Sequence, residues 1–200
     1  MTSTPSPLPA AETISAPAAD LCLDFANTRM WRGTDAPQET LHRLADVLAW
    51  CAGRGLPTGS DGTEEAAFAE ILAARETLYR LFSAIAAGRP ATEADLRALS
   101  HALAATPARR TLTLVAAPPG YAWSVPAPEP GAGALLTPIL WSAGDLLVSR
   151  RLERVRQCAN SQCLWLFLDD SKSGNRRWCS MSACGNRAKA HRHYLRHKDG

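Results

Sequence analysis

Several signals are missing from this 200-residue chain, and each absence removes a class of protein. The opening twenty residues, MTSTPSPLPAAETISAPAAD, have no basic start and no continuous apolar run. They read as neither a secretion signal nor a membrane anchor, so the expectation is a cytoplasmic protein with no membrane partner. Also missing are a Gly-rich phosphate loop, a Ser/His/Asp arrangement, a His-Glu-x-x-His pair and any internal repeat. Without a paired acid and base, hydrolase or nuclease chemistry has no constellation to use, and the chain is expected not to be an enzyme. Cysteine is scarce, six residues in all, yet four of them fall close together.

Those four carry the strongest pattern in the chain. Cys158-Ala-Asn-Ser-Gln-Cys163, fifteen intervening residues, then Cys179-Ser-Met-Ser-Ala-Cys184 make two pairs at matched spacing. Zinc takes four thiolates in a tetrahedron, and two short Cys-to-Cys loops joined by a longer arm let one chain surround it. A disulfide or redox pair is the alternative, but disulfides do not persist in a reducing compartment, which favours metal. One structural Zn²⁺ bound by Cys158, Cys163, Cys179 and Cys184 is therefore expected. A closed site of four cysteines leaves no open position for an activated water, which argues against metal catalysis. Cys22 and Cys51 stand apart among apolar neighbours and are expected to be buried small hydrophobes.

Length and composition allow one medium domain plus a small appendage, with a 46% hydrophobic content typical of globular chains. The net charge of +3 is unevenly distributed: residues 150–200 hold twelve Lys/Arg against four Asp/Glu, and residues 1–149 hold ten against fifteen. The basic end suits a polyanion. Four thiolates on Zn²⁺ carry a formal charge of about −2, so part of that excess serves the metal.

Along the chain, residues 1–18 are rich in Pro, Ala, Ser and Thr without periodicity and are expected to be a disordered leader. LCLDFANTRMWRG follows, too short for periodicity to separate helix from strand. Within it Asp24 and Asn27 either face a ligand or tie down neighbouring backbone. Apolar spacing predicts helices from Thr40 to about Cys51, from Thr63 to about Ala87, from Thr92 to about Ala105 and from Leu135 to about Glu153. The second is the longest and is expected to be the central strut. Pro138 is placed in the first turn of the last helix or just before it. Alternation in 111–117 and 121–125 around Pro118-Pro119-Gly120 predicts one β-hairpin, which must pack on the helices.

Residues 154–200 are too few for a self-sufficient core and need the metal. The residues around Arg156 read as one arm leading into the first cysteine loop, Leu164–Leu168 as a strand, 176–178 as a second arm returning to Cys179, and the tail from about Ser182 as a helix. Knuckle, hairpin and a helix carrying a ligand in its first turn form a treble clef. Projected at 100° per residue, Met181, Cys184, Ala188 and Leu195 share one stripe facing the metal. Lys189, Arg192, His193 and Arg196 lie on one flank; Arg187, His191 and Lys198 lie on the other. Basic flanks suit a phosphate backbone, so Arg176, Arg177, Arg187, Lys189, Arg192 and Arg196 are the candidate DNA contacts; a solvated basic helix is the alternative. Trp165 and Trp178 either stack on bases or fill the small core.

Trp178-Cys-Ser-Met-Ser-Ala-Cys184-Gly-Asn-Arg187-Ala-Lys189, with Cys158/Cys163 and Phe167-x-Asp169-x-Ser171, resembles the CGNR zinc finger over about forty residues. The region from about 20 to 150, with its LCLDFANT opening, resembles the ABATE domain found upstream of that finger in bacterial proteins described as stress-induced transcription regulators. The resemblance implies the same four zinc ligands and a transcriptional role. The expected architecture is α+β: a mostly helical N-terminal domain at 19–153 with one hairpin, and a treble-clef-like zinc finger at 154–200. The expected function is DNA-binding regulation, with the N-terminal domain sensing a small-molecule or protein ligand or forming a homodimer. The alternative is a protein-interaction or RNA-associated module whose finger is purely structural.

Overall fold

A computed structural model describes residues 11–15, 18–56, 58, 65–116, 119–126, 131–190 and 194. Helices and small antiparallel sheets alternate along the chain, giving the expected α+β class. Among the described residues no helix is long and apolar enough to cross a membrane.

The ambiguous LCLDFA stretch is a helix, α1 (Leu21–Ala26), with Leu21, Cys22, Leu23, Phe25 and Ala26 all buried. Burial on nearly every side rather than a stripe is why periodicity could not classify it. A two-residue ladder follows, β2 (Arg29–Met30) on β3 (Gln38–Glu39). Helix α2 (Leu44–Ala52) starts four residues later than spacing predicted. The Asp46 carboxylate accepts from His42 N–H at 2.8 Å and Arg43 N–H at 3.2 Å, satisfying donors ahead of the first turn. Helix α3 (Glu65–Ala86) buries Ala67, Ile71, Leu78, Leu81 and Phe82. Helix α4 (Glu93–Ala104) opens as expected on Thr92, whose hydroxyl accepts from Asp95 N–H at 3.1 Å.

Helix α5 (Ala132–Val148) is buried along most of its length, including Leu135, Ile139, Leu140 and Leu146. It packs against α1, α3 and α4, while the longer α3, the expected strut, packs against α1, α2, α4 and α5. Pro138 lies inside α5 instead of at its start. The helix begins earlier than expected because Ala132 and Ala134 are buried against the core. Pro138 supplies no N–H to the preceding turn, and the Thr137 hydroxyl donates to the Gly133 carbonyl at 2.7 Å nearby.

The hairpin is present as β4 (Thr111–Ala116) and β5 (Pro119–Pro126), with Leu112 opposite Trp123. It has a third strand where an unstructured leader was expected: β1 (Ala11–Ser15) pairs antiparallel with β5, giving the order β1-β5-β4. Ile14, opposite Trp123, is 4% exposed and packs with Val125 and Trp141 of α5. One buried isoleucine on an open sheet edge draws in a segment whose composition reads as disordered. The leader's remaining residues, 1–10 and 16–17, lie outside the described residues.

After a 3₁₀ turn at Arg150–Arg154 come β6 (Val155–Gln157) and β7 (Leu166–Leu168), antiparallel with Val155 opposite Leu168. The expected strand exists, and the arm expected around Arg156 is its partner; the second arm at 176–178 is not a strand, although the Arg177 carbonyl accepts from Ala159 N–H at 2.9 Å. Val155, Leu166 and Leu168 belong to the same core as Phe25, Leu78 and Leu135. The sequence boundary at 153/154 is therefore not a seam in the packing.

Candidate metal centre

Hairpin β6–β7 presents the first cysteine pair at its tip. Cys158 N–H donates to the Trp165 carbonyl at 2.8 Å, and the Asn160 carbonyl accepts from Cys163 N–H at 2.9 Å and Leu164 N–H at 3.2 Å. The Asn160 side-chain oxygen accepts from Gln162 N–H at 3.1 Å, and its Nδ2 donates to Cys184 Sγ at 3.5 Å. Leu164 leaves the loop at φ 55°, an uncommon conformation for a bulky residue that turns the chain back into β7.

The second pair is braced from beneath. Arg176 Nε donates to the Trp178 carbonyl at 2.8 Å, Nη2 donates to the Cys179 carbonyl, and the guanidinium lies 4.6 Å over the Phe167 ring. Buried Asp169 accepts from Ser171 N–H, Ser171 hydroxyl and Arg176 N–H at 3.0, 2.5 and 2.8 Å. Those bonds, the Ser171 hydroxyl foremost, hold its carboxyl below the usual range. Cys184 lies in a wide turn, Met181–Gly185, closed by Gly185 N–H on the Ser180 carbonyl at 3.0 Å and running into helical residues 186–190. Five residues per closed ring change the angular register, which corrects the stripe projected at 100° per residue. Cys184 faces inward at 2% exposure, whereas Met181 is 52% exposed.

The four Sγ atoms lie within 4.8 Å of one another, with Cys163–Cys179 and Cys179–Cys184 both at 3.7 Å. A tetrahedron with Zn–S bonds of about 2.3 Å has edges of about 3.8 Å. A disulfide needs sulfurs at about 2.05 Å, and all four cysteines are free. The donor set and its spacing thus fit one zinc ion. Burial foremost, with the Cys158 charge adding, pushes the Cys163 thiol up to about 12, and burial raises Cys179 as well. At Cys184 burial is outweighed by the Asn160 contact and neighbouring thiols, and its pKa falls. Four sulfurs so placed require a cation to be deprotonated together.

The helical domain reaches into this centre. Trp31, at φ 54°, packs against the cysteine cluster with Trp165 and Trp178. Gly33 N–H donates to the Gln162 carbonyl at 3.2 Å, and a Cβ there would stand 1.7 Å from the Ser161 oxygen, so no side chain fits. Asn27, 2% exposed, clasps β7: Nδ2 donates to the Leu166 carbonyl at 2.8 Å and Oδ1 accepts from Leu166 N–H at 2.9 Å. Its polar atoms are committed to backbone rather than turned to a ligand. Asp24 does not join it; that carboxylate is about half exposed, 3.9 Å from Arg54 Nη2. An apolar groove of about 410 Å³ runs between α3, α4 and α5, lined in part by Leu78, Leu99 and Leu136 and by neither Asp24 nor Asn27.

Behind the centre lies a buried charge network. Arg75, 2% exposed, pairs with Glu39 at 2.5 and 2.7 Å and with Glu76 at 3.0 Å; Arg32 pairs with Glu76 at 2.7 Å and lies 3.8 Å over Tyr79. Tyr79 donates to the Leu164 carbonyl at 3.0 Å, while Gln157 Nε2 donates to Tyr79 Oη and Ser83 Oγ. Arg75 was missed although the sequence carried a signal for it: it sits four residues after Ile71 and three before Leu78 on the buried stripe of α3, where a charge needs a partner. Trp31, Gly33 and Asn160 carried no such signal, because their roles depend on an approach between segments distant in sequence.

The candidate DNA contacts divide. Arg177, Arg187 and Lys189 are exposed, with Arg187 4.7 Å over Trp31 and Arg177 5.4 Å over Trp178. Arg176 is exposed as well and also makes the brace described above. Arg192 and Arg196 lie outside the described residues, as do His191, His193, Leu195 and Lys198. Cys22 and Cys51 are buried as expected, and burial pushes their thiols up to about 12 and about 11.

A helical domain closed by a cluster of four cysteines, three of them buried, defines a zinc-finger protein. Residues 19–150 match ABATE, a family described as "Putative stress-induced transcription regulator", and residues 154–197 match the CGNR zinc finger. The chain belongs to the ABATE family and carries the CGNR finger. No curated protein matches it significantly in sequence.

Proposed function

We propose that this chain is a DNA-binding regulator, with a treble-clef-like finger contacting phosphates through Arg177, Arg187 and Lys189 and, beyond the described residues, Arg192 and Arg196. One contrast carries this reading. Residues 171–190 hold five basic and no acidic side chains, and none of the five makes an ion pair among the described residues, whereas Arg32, Arg75, Arg80 and Arg109 each meet a carboxylate. Unneutralised cations on a metal-fixed scaffold are the means by which proteins release counterions from a polyanion. A closed ligand set leaves no position for a reacting water, so the reading assigns no enzymatic role. The helical domain would supply sensing or dimerisation, since one finger reads few base pairs.

A second reading, a purely structural finger in a protein- or RNA-associated module, is favoured by the placement of β6–β7 in the main core. Binding of the full zinc-loaded chain to duplex DNA separates the two. With four to six phosphates engaged, log K against log[salt] should slope by roughly −3.6 to −5.4. Replacing Arg177 and Lys189 together by Ala should reduce that slope by about 2. No duplex binding at low salt would reject the DNA reading.

A further inference from the structure

Cys179 differs from its three companions in exposure and from Cys184 in hydrogen bonding, and both bear on reactivity. Cys158, Cys163 and Cys184 are buried, whereas Cys179 is partly exposed. Cys184 Sγ receives the Asn160 amide; Cys179 Sγ lies 3.7 Å from the Cys163 and Cys184 sulfurs, and no side-chain amide reaches it among the described residues. A hydrogen bond to sulfur withdraws electron density, so the sulfur without one is the stronger nucleophile. When bound, zinc keeps all four sulfurs deprotonated at neutral pH.

A cavity of about 310 Å³ opens beside this sulfur. Met30, Trp31, Trp165 and Ala183 line it together with Ser180 and three of the cysteines, Cys163, Cys179 and Cys184, of which only Cys179 is not buried. Trp31 holds its place there with a backbone at φ 54°, a conformation that costs free energy in a bulky residue and persists only where packing fixes it. An apolar aromatic chamber ending on a thiolate concentrates small uncharged molecules at a nucleophile, within the size range of ligand pockets.

We propose that Cys179 is a modification site for small apolar carbon electrophiles of the α,β-unsaturated carbonyl class, admitted through the Met30–Trp31–Trp165 cavity. The Cys179 sulfur lone pair forms an S–C bond at the β-carbon, and the C=C π pair shifts toward the carbonyl. Water then gives a proton to the α-carbon, leaving hydroxide in solution; there is no leaving group and no oxidant. The product is an uncharged thioether, a weaker zinc ligand than a thiolate, so the adduct loosens the centre.

The test uses the zinc-loaded full chain, limiting N-ethylmaleimide, peptide mass mapping of the adduct and a chromophoric chelator to read zinc release. The first adduct should fall on Cys179, followed by zinc release. A maleimide bearing a carboxylate is the control, because steering by nearby Arg177, Arg187 and Lys189 would favour the anion whereas the cavity favours the neutral reagent. Relative to glutathione, Cys179 should prefer the neutral reagent by about tenfold, and Ala183→Leu, which narrows the cavity, should slow labelling by about tenfold at unchanged zinc content. First labelling at another cysteine, or a neutral-to-anionic ratio equal to that of glutathione, would overturn the proposal. The reagent comparison on the unmodified chain decides the matter even if Ala183→Leu loses zinc.

Discussion

Asn27 and Asp24 lie three residues apart in one short motif and have opposite fates. Asn27 places an amide on both backbone groups of Leu166, so Asn27→Ala leaves a buried donor and a buried acceptor unpaired. Each such loss costs about 1–3 kcal/mol, and chemical denaturation should show Asn27→Ala less stable by about 2–4 kcal/mol. Asp24→Ala, at a half-exposed carboxylate with a distant ion-pair partner, should stay within about 0.5 kcal/mol. Equal losses in the two variants would mean that the Leu166 clasp is not what Asn27 contributes. The sequence showed that these polar residues stood among apolar ones and needed partners; it could not show that the partner was a strand 139 residues away. The four cysteines were fully legible, since zinc imposes both residue type and spacing. Arg176 is exposed, as its charge suggested, but its bonds to the Trp178 and Cys179 carbonyls, which brace the second pair, were not legible in the sequence.

At the scale of elements, the long helices were readable because each buries one stripe, and the Thr92 cap marked its helix start. Three elements were not. Strand β1 lacks the composition of a strand and exists because β5 has a free edge; α5 begins earlier and contains Pro138; and β7 pairs with β6, a pairing that the local pattern did not assign. In each case a tertiary partner decided what local pattern left open. The segment joining β2–β3 to α3 depends on charge. Burial pushes the Glu39 carboxyl up, but hydrogen bonds from Arg75, Leu41 and Thr40 more than offset it and lower its pKa; Glu76 is likewise lowered, by Arg32 and Arg75 against burial. A lowered folded-state pKa contributes stability that is full above the unfolded value of about 4.3 and is lost as pH falls through the folded value. Stability should therefore decline on acidification below about pH 4.5. Glu39→Gln should flatten that acid limb and, by leaving Arg75 partly unpaired, cost about 2–3 kcal/mol at pH 7. An acid limb unchanged in Glu39→Gln would remove Glu39 from its cause.

For the whole molecule, the finger is built into the helical domain. Val155, Leu166 and Leu168 sit in the core formed by α1, α3 and α5, Trp31 covers the cysteine cluster, and Gly33 abuts the first cysteine loop. Sequence divides the chain into two successive segments because the family signatures do. Packing unites them because β6–β7 is too small to bury its own apolar side chains. It follows that the free energy of zinc binding is shared by the entire fold. Acid should also weaken binding, because the metal displaces thiol protons, by about three to four log units of affinity per pH unit below neutrality.

The most direct measurement is thermal unfolding of the full chain, zinc-loaded and chelator-treated, followed in parallel by helical circular dichroism and by tryptophan fluorescence. A centre welded to the core predicts that metal removal lowers the helical transition itself by at least about 10 °C, as a loss of several kcal/mol requires in a domain of this size. A helical transition at the same temperature with and without zinc, while only the fluorescence of the cysteine-rich end changes, would contradict it.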